Sequence, residues 1–153
     1  MSTPLLAQLT ERVGQEVHLS DWLTISQARI NAFADATSDH QWIHVDSARA
    51  AAESPWGSTI AHGYLTLSLY PMMRGLVAER PIYPGVRQVI NYGLEKSRFP
   101  NAVKADSRIR VRCVLNKVEE VPGGVQTTER ATFEIDGEAK PACIAEAIMR
   151  LYV

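Results

Sequence analysis

The stretch Asp39-His40-Gln41-Trp42-Ile43-His44 gathers a carboxylate, two imidazoles and an amide around one indole ring. Such a set suits metal ligation, acid–base catalysis or an ordinary polar loop. His40 and His44 stand four apart, which on a helix turns both imidazoles to one face, as in the zinc motif His-Glu-x-x-His. Position 41 is Gln, however, so that motif's general base is missing. No cysteine is near enough to complete a tetrahedral set, and only Asp39 or His62 can add a ligand. We therefore expect no metal. Asp39 and His44 are five apart, and on a continuous helix they would diverge by roughly 140°. In a loop that doubles back they can instead converge on one water molecule, with Trp42 and Ile43 excluding bulk solvent. The plain alternative is a helix-capping Asp39 and a structural, hydrogen-bonded His44.

A second element lies downstream. Thr59-Ile60-Ala61-His62-Gly63-Tyr64-Leu65 puts His62 and Gly63 at the start of the most apolar helical segment. The first N–H groups of a helix lack internal partners and carry the positive end of its dipole. Glycine there lets a ligand oxygen approach the backbone, as an oxyanion site requires. Close packing at the helix start would explain the same glycine. An acid–base pair beside backbone donors suits the addition or removal of water beta to a carbonyl. One group activates water for attack on the β-carbon, another delivers a proton to the α-carbon, and the donors hold the enolate oxygen. No metal or organic cofactor is needed.

Several elements must position these groups. Residues 14–26 read as extended. Ser26 is the expected N-cap of a helix over 27–37, where Ile30, Phe33 and Ala34 share a face, ending before Asp39. Asp46 caps a short alanine-rich helix that Ser54-Pro55-Trp56-Gly57 then breaks. Residues 62–79 predict a long helix, apolar all round and therefore buried, bent where Pro71 removes a bond to the Leu67 carbonyl. Strands follow from residue 86 onward. Ile109, Val111, Cys113 and Leu115 alternate with Arg108, Arg110 and Arg112, and turns at Pro122-Gly123-Gly124 and Asp136-Gly137 join the later strands. This order predicts an α+β fold, a curved antiparallel sheet wrapped on one helix, with the arginine face solvated or meeting a charged partner.

At these residues the sequence resembles the MaoC-like dehydratases, the (R)-specific enoyl-CoA hydratase group, and within it the nodulation-protein-N-like branch. The family pattern is Asp-x-Asn-Pro-aliphatic-His followed by an aliphatic-x-His-Gly segment. Asp39, Ile43 and His44 match the first part, and Ile60-Ala61-His62-Gly63 match the second. The order of elements fits along nearly the whole chain. Gln41 and Trp42 depart from the pattern, which leaves the orienting geometry and the acyl pocket open to change.

The resemblance implies a hotdog fold and hydration of a trans-2-enoyl-CoA to an (R)-3-hydroxyacyl-CoA, or the reverse, with CoA as part of the substrate rather than a cofactor. Asp39 and His44 become the catalytic dyad and Gly63 the backbone donor to the thioester oxygen. Gln41, Trp42, Ile60, His62 and Tyr64 are the expected substrate-binding residues. Lys96, Arg98 and Lys104 are candidates for CoA phosphate contacts. The expected partners are an acyl-CoA or acyl-carrier-protein thioester and a second copy of the chain, which would cover the sheet edge and complete the ligand tunnel. A hotdog thioesterase and a non-catalytic acyl-CoA or acyl-carrier binding module are the alternatives.

Bulk composition agrees with these expectations. At 153 residues the chain suits one domain over 1–153. A hydrophobic fraction of 46% argues against disorder, and a net charge of −1 with no basic run argues against nucleic acid. No apolar run approaches membrane-spanning length, and the N-terminus lacks a basic leader. Cys113 and Cys143 fall in strand-like patterns, where both are expected as buried thiols in a reducing, cytoplasmic setting.

Overall fold

The computed structural model describes residues 3–153. Helix α1 (Pro4–Thr10) starts where Thr3 accepts the Leu6 N–H, with Pro4 in the first turn, where its missing N–H is tolerated. The sequence reading did not anticipate this helix. Its Leu5 and Leu9 pack with Leu115, Val125 and Leu151 of the sheet.

Short strands β1 (Glu16–Leu19) and β2 (Leu23–Thr24) lead to α2 (Gln27–Thr37). Ser26 caps α2 as expected, accepting the Arg29 N–H at 3.1 Å. Ser38 then takes φ 60°, the left-handed turn that ends the helix and reverses the chain. Helices α3 (Trp42–Val45) and α4 (Ser47–Glu53) follow, the second capped by Asp46. The central helix is formed by α5 (Gly63–Ser68) and α6 (Tyr70–Met73). Strands β3 (Gln88–Arg98), β4 (Arg108–Val121), β5 (Gly124–Ile135) and β6 (Cys143–Tyr152) complete the chain.

The strands form one antiparallel sheet in the order β1-β4-β5-β6-β3, with β2 paired to the start of β4. Burial alternates along β4 as the sequence predicted, with Ile109, Val111, Cys113 and Leu115 fully buried, and it alternates along β5 as well. That inner face wraps the central helix: Leu65, Leu69, Tyr70 and Met73 share a core with Val111, Phe133, Ala145 and Met149. This is the hotdog arrangement. Both cysteines are free and buried, and burial pushes the Cys113 thiol up to about 12. Among the described residues no helix is long and apolar enough to cross a membrane.

The expected long helix over 62–79 is corrected. Its ladder is interrupted at Leu69, because Pro71 has no N–H to continue α5 and instead sits in the first turn of α6. Gly75, at φ 83°, closes the helical course. Nor is the helix buried all round: Tyr64 is 72% exposed and Met72 44%. On the outer sheet face the alternating arginines meet carboxylates of neighbouring strands. Arg110 and Arg112 share Glu134, Arg112 also reaches Glu16, and Arg108 pairs with Asp136.

One charged pair lies inside the core. Arg74, 3% exposed, forks onto Glu129, 1% exposed, through Nε at 2.8 Å and Nη2 at 2.7 Å. Tyr70 donates to Glu129 at 2.8 Å, and Arg74 donates to the Tyr83 hydroxyl at 3.2 Å. Every charge here is matched, but only as a set. Glu129→Leu should cost about 3–5 kcal/mol by leaving the guanidinium uncompensated, while Arg74→Met with Glu129→Leu should recover most of that loss. Urea denaturation of both variants checks this; a single variant within about 1 kcal/mol of wild type would refute it.

Candidate active site

Helix α2 ends in the left-handed Ser38, and the chain doubles back through Asp39, His40 and Gln41 into α3, which presents His44. Gln41 precedes α3 at the N-cap position, and its backbone N–H donates to Asp39 Oδ1 at 3.4 Å. Two contacts pin α3 from outside. The Ile60 N–H donates to the Ile43 carbonyl at 3.0 Å, and Gln27 Nε2 donates to the His44 carbonyl at 2.7 Å. Thr59 donates to Gln27 in turn, so α2, α3 and the segment leading into α5 are tied at one point.

His44 is 7% exposed, and its Nδ1 lies 2.7 Å from the Ile60 carbonyl. A carbonyl only accepts, so Nδ1 carries the hydrogen and Nε2 keeps a lone pair. Burial disfavours the imidazolium and lowers the His44 pKa. The Ile60 hydrogen bond and the Asp39 charge oppose that fall, and the His62 ring adds to it.

His62 completes the cluster. It is 3% exposed, its ring stacks on His44 with centroids 3.8 Å apart, and Phe33 covers it at 4.9 Å. Its Nε2 donates to the Asp39 carbonyl at 2.9 Å and stands 3.9 Å from the Asp39 carboxylate. A carboxylate oxygen of Asp39 and one ring nitrogen from each histidine lie within 4.8 Å of one another. A single water can bridge groups at that separation. The same three residues are the set that could hold a cation. However, His62 Nε2, the nitrogen that faces Asp39, carries a hydrogen that it donates to the Asp39 carbonyl, so in this arrangement it offers an ion no lone pair. His40 is not part of the cluster: it turns outward to Asp35 at 2.9 Å, which removes the His40–His44 face weighed from spacing alone.

Gly63 follows at the first turn of α5, and among the described residues its N–H has no acceptor. A methyl group at this position would stand 2.9 Å from Phe99 Cγ, so glycine is what admits the Phe99 ring. A cavity of about 320 Å³ opens beside it, lined by Trp56, Ile60, Gly63, Thr66, Phe99 and Val103. Of the other expected binding residues, Ile60 lines this cavity. Tyr64 is exposed and meets Phe99 edge-on at 6.0 Å, and Trp42 lies half-buried beneath the Arg49 guanidinium. Lys104 pairs its backbone with Ile60, close to the cluster, whereas Lys96 and Arg98 lie on β3, with Arg98 folded back on the Ser97 carbonyl.

The fold, the clustered acid–base groups and the free backbone donor agree with one family. Its description, a MaoC-like domain, matches residues 8–135. The chain belongs to the MaoC-like dehydratase family. It is 50% identical over 146 residues to 3-hydroxyacyl-thioester dehydratase Z of Mycobacterium tuberculosis, covering 95% of this chain and 94% of that protein. It is 46% identical to nodulation protein N of Rhizobium leguminosarum, covering 94% and 88% of the two chains. In three dimensions it resembles the (R)-hydratase of A. caviae involved in PHA biosynthesis, with TM-score 0.73 at 24% identity over 91% of this chain and 96% of that one. As members of this family go, Gln41 and Trp42 stand where the family pattern expects Asn and Pro. Gln41 forms no side-chain cap on α3, so its amide is free to turn elsewhere.

Spacing alone did not reveal Gln27, Thr59 or Phe99. Their contacts join segments far apart in the chain, and no local pattern encodes them. His44 should titrate below 6.5 and keep its hydrogen on Nδ1. Long-range ¹⁵N NMR of the imidazoles checks both, and a His44 titration at or above 6.5 would refute the buried, Ile60-bound ring.

Proposed function

We propose that this MaoC-like chain is a hydro-lyase that reversibly adds water across a trans-2-enoyl thioester, giving an (R)-3-hydroxyacyl thioester. The observation that carries the proposal is the convergence of Asp39 and His44 within reach of one water, beside the unoccupied Gly63 N–H. In hydration, His44 Nε2 takes a proton from the water as its oxygen bonds to the β-carbon, and Asp39 holds the second hydrogen. The π electrons of the enoyl bond move to the thioester oxygen, which the Gly63 N–H receives as an enolate. The enolate then collapses, and the dyad returns the proton to the α-carbon. Atoms balance with water alone and no oxidation level changes, so the step calls for no redox partner.

The full dehydratase Z-like span of the chain supports a 3-hydroxyacyl thioester as the substrate class. The cavity at Gly63 suits the thioester end, and of the three proposed phosphate contacts Arg98 and Lys104 adjoin its lining residues Phe99 and Val103 in the chain. We further propose a homodimer through β3. Among the described residues this edge strand of 11 residues pairs on one side only, with β6, and it exposes Ile90, Tyr92 and Leu94. A long apolar edge of that kind calls for cover. Leu94 and Asn91 of β3 share a cavity with Leu67 and Pro71 of the central helix, and Phe99 just after β3 meets Tyr64, so a second copy on this edge would also cover Tyr64.

Wild-type protein should hydrate crotonyl-CoA, followed as loss of enoyl-thioester absorbance, and yield the (R)-3-hydroxy product. Asp39→Ala and His44→Ala should each lower turnover by about 10²–10⁴ with an unchanged circular dichroism spectrum. Because the base must be unprotonated, the acid limb of kcat/KM should lie below 6.5, activity falling as pH drops through it. Release of free thiol would assign a thioesterase instead, and binding without turnover at every chain length would assign a binding module. For the assembly, sedimentation should give twice 17.0 kDa for wild type and a smaller mass for Tyr92→Glu with Leu94→Glu. A wild-type monomer would contradict the β3 interface.

A further inference from the structure

Three features stand outside the steps above: the buried Arg74–Glu129 pair, the Phe99 ring on Gly63, and the buried His62. The first two have packing explanations that the structure already supplies. His62 does not. A residue whose only task was to fill the core before α5 would be apolar, since an imidazole that is 3% exposed must satisfy two nitrogens. Only one is satisfied: Nδ1 has no partner among the described residues, although it is fully shielded. The other nitrogen is spent on the Asp39 carbonyl, 23 residues away in sequence. The ring face is spent on His44.

We propose that His62 is a positioning residue that couples the two halves of the dyad, its N–H tethering the Asp39 turn and its ring fixing and shielding His44. This rests on the proposed roles of Asp39 and His44. The tether acts on the loop after Ser38, where the backbone N–H of Gln41 is the other contact to Asp39. Without it the carboxylate, which is 51% exposed, has little else to hold it near the water. The stack acts on the second partner. It keeps solvent from one face of the His44 ring and sets the ring plane in which Nε2 points, while the Ile60 bond sets the tautomer. The titratable groups facing His44 are Asp39 from the loop and His62 from the α5 start. Helix α2 brings only the uncharged Gln27 there, and the α4 cation Arg49 is turned onto Trp42.

The two contacts separate by substitution. His62→Phe keeps a stacking ring and loses the tether. His62→Gln keeps an amide N–H at the reach of Nε2 and loses the stack. Positioning losses of this kind are worth on the order of 10²-fold in rate. His62→Phe should therefore lower kcat on crotonyl-CoA by about 10–100-fold with little change in KM, while His44 still titrates below 6.5. His62→Gln should keep kcat within about 5-fold of wild type at high pH, yet let water reach His44, so that its NMR titration and the acid limb both move toward 6.5. Thermal melts of both variants report whether each has folded. The coupling is overturned if His62→Phe turns over like wild type. It is equally overturned if His44 titrates identically in wild type and folded His62→Gln, or if both variants lose activity only in proportion to lost stability. The titration needs no turnover. If wild-type protein hydrated no enoyl-CoA, the functional proposal would fail, while the His44 readings would still decide whether His62 controls that ring.

Discussion

The hydrogen bond from His44 Nδ1 to the Ile60 carbonyl, 2.7 Å long and shielded from solvent, is the contact on which the site depends. It joins two segments that the chain reaches by different routes, the loop after α2 and the extended stretch before α5. That stretch is itself anchored, because Ile60 pairs with Lys104 and the Ala61 N–H donates to the Val103 carbonyl. The sheet side of the fold therefore sets where His44 sits. The bond also fixes chemistry. With the hydrogen committed to Nδ1, the lone pair must be on Nε2, and burial keeps the ring unprotonated. In water the same imidazole would have no Ile60 carbonyl to choose its tautomer and would protonate at a higher pH.

Much of the scaffold was legible because its signals are local. The alternation along β4 and β5 reports a two-faced sheet, and Ser26 and Asp46 cap their helices by satisfying the N–H groups of the first turn. The convergence of Asp39 with His44 was legible only as a conditional statement: it needed a bend, and the left-handed Ser38 supplies one. Other features had no local sign. Nothing around Phe99 states that its ring rests on Gly63. His62 looked like a residue lining the substrate site, because its burial depends on Phe33 and His44 arriving from elsewhere. The helix over 62–79 misled in a different way. Its apolar residues suggested burial on all sides, but Tyr64 stays open beside Phe99 and Met72 stays open beside the β1–β2 segment.

Leu67 and Pro71 share a cavity with Asn91 and Leu94 of β3, and Tyr64 meets Phe99 just beyond it, which gives the fold an asymmetry with a physical rationale. The inner sheet face is filled by the central helix, and the outer arginines are neutralised by cross-strand carboxylates. Part of the exposed apolar surface, Ile90, Tyr92 and Leu94, lies on β3, and Tyr64 with Phe99 continues it at the α5 start. In the proposed dimer, binding and assembly share this surface. The buried Arg74–Glu129 pair at the end of α6 then holds the far end of the central helix, leaving its N-terminal end for the proposed ligand chemistry.

A crystal structure of the Asp39→Asn variant soaked with crotonyl-CoA tests the central claim most directly. The account predicts the thioester oxygen within hydrogen-bond distance of the Gly63 N–H, with an ordered water between residue 39 and His44 Nε2, facing the β-carbon. An enoyl group bound with its carbonyl turned away from Gly63, or a β-carbon facing neither side chain, would contradict it.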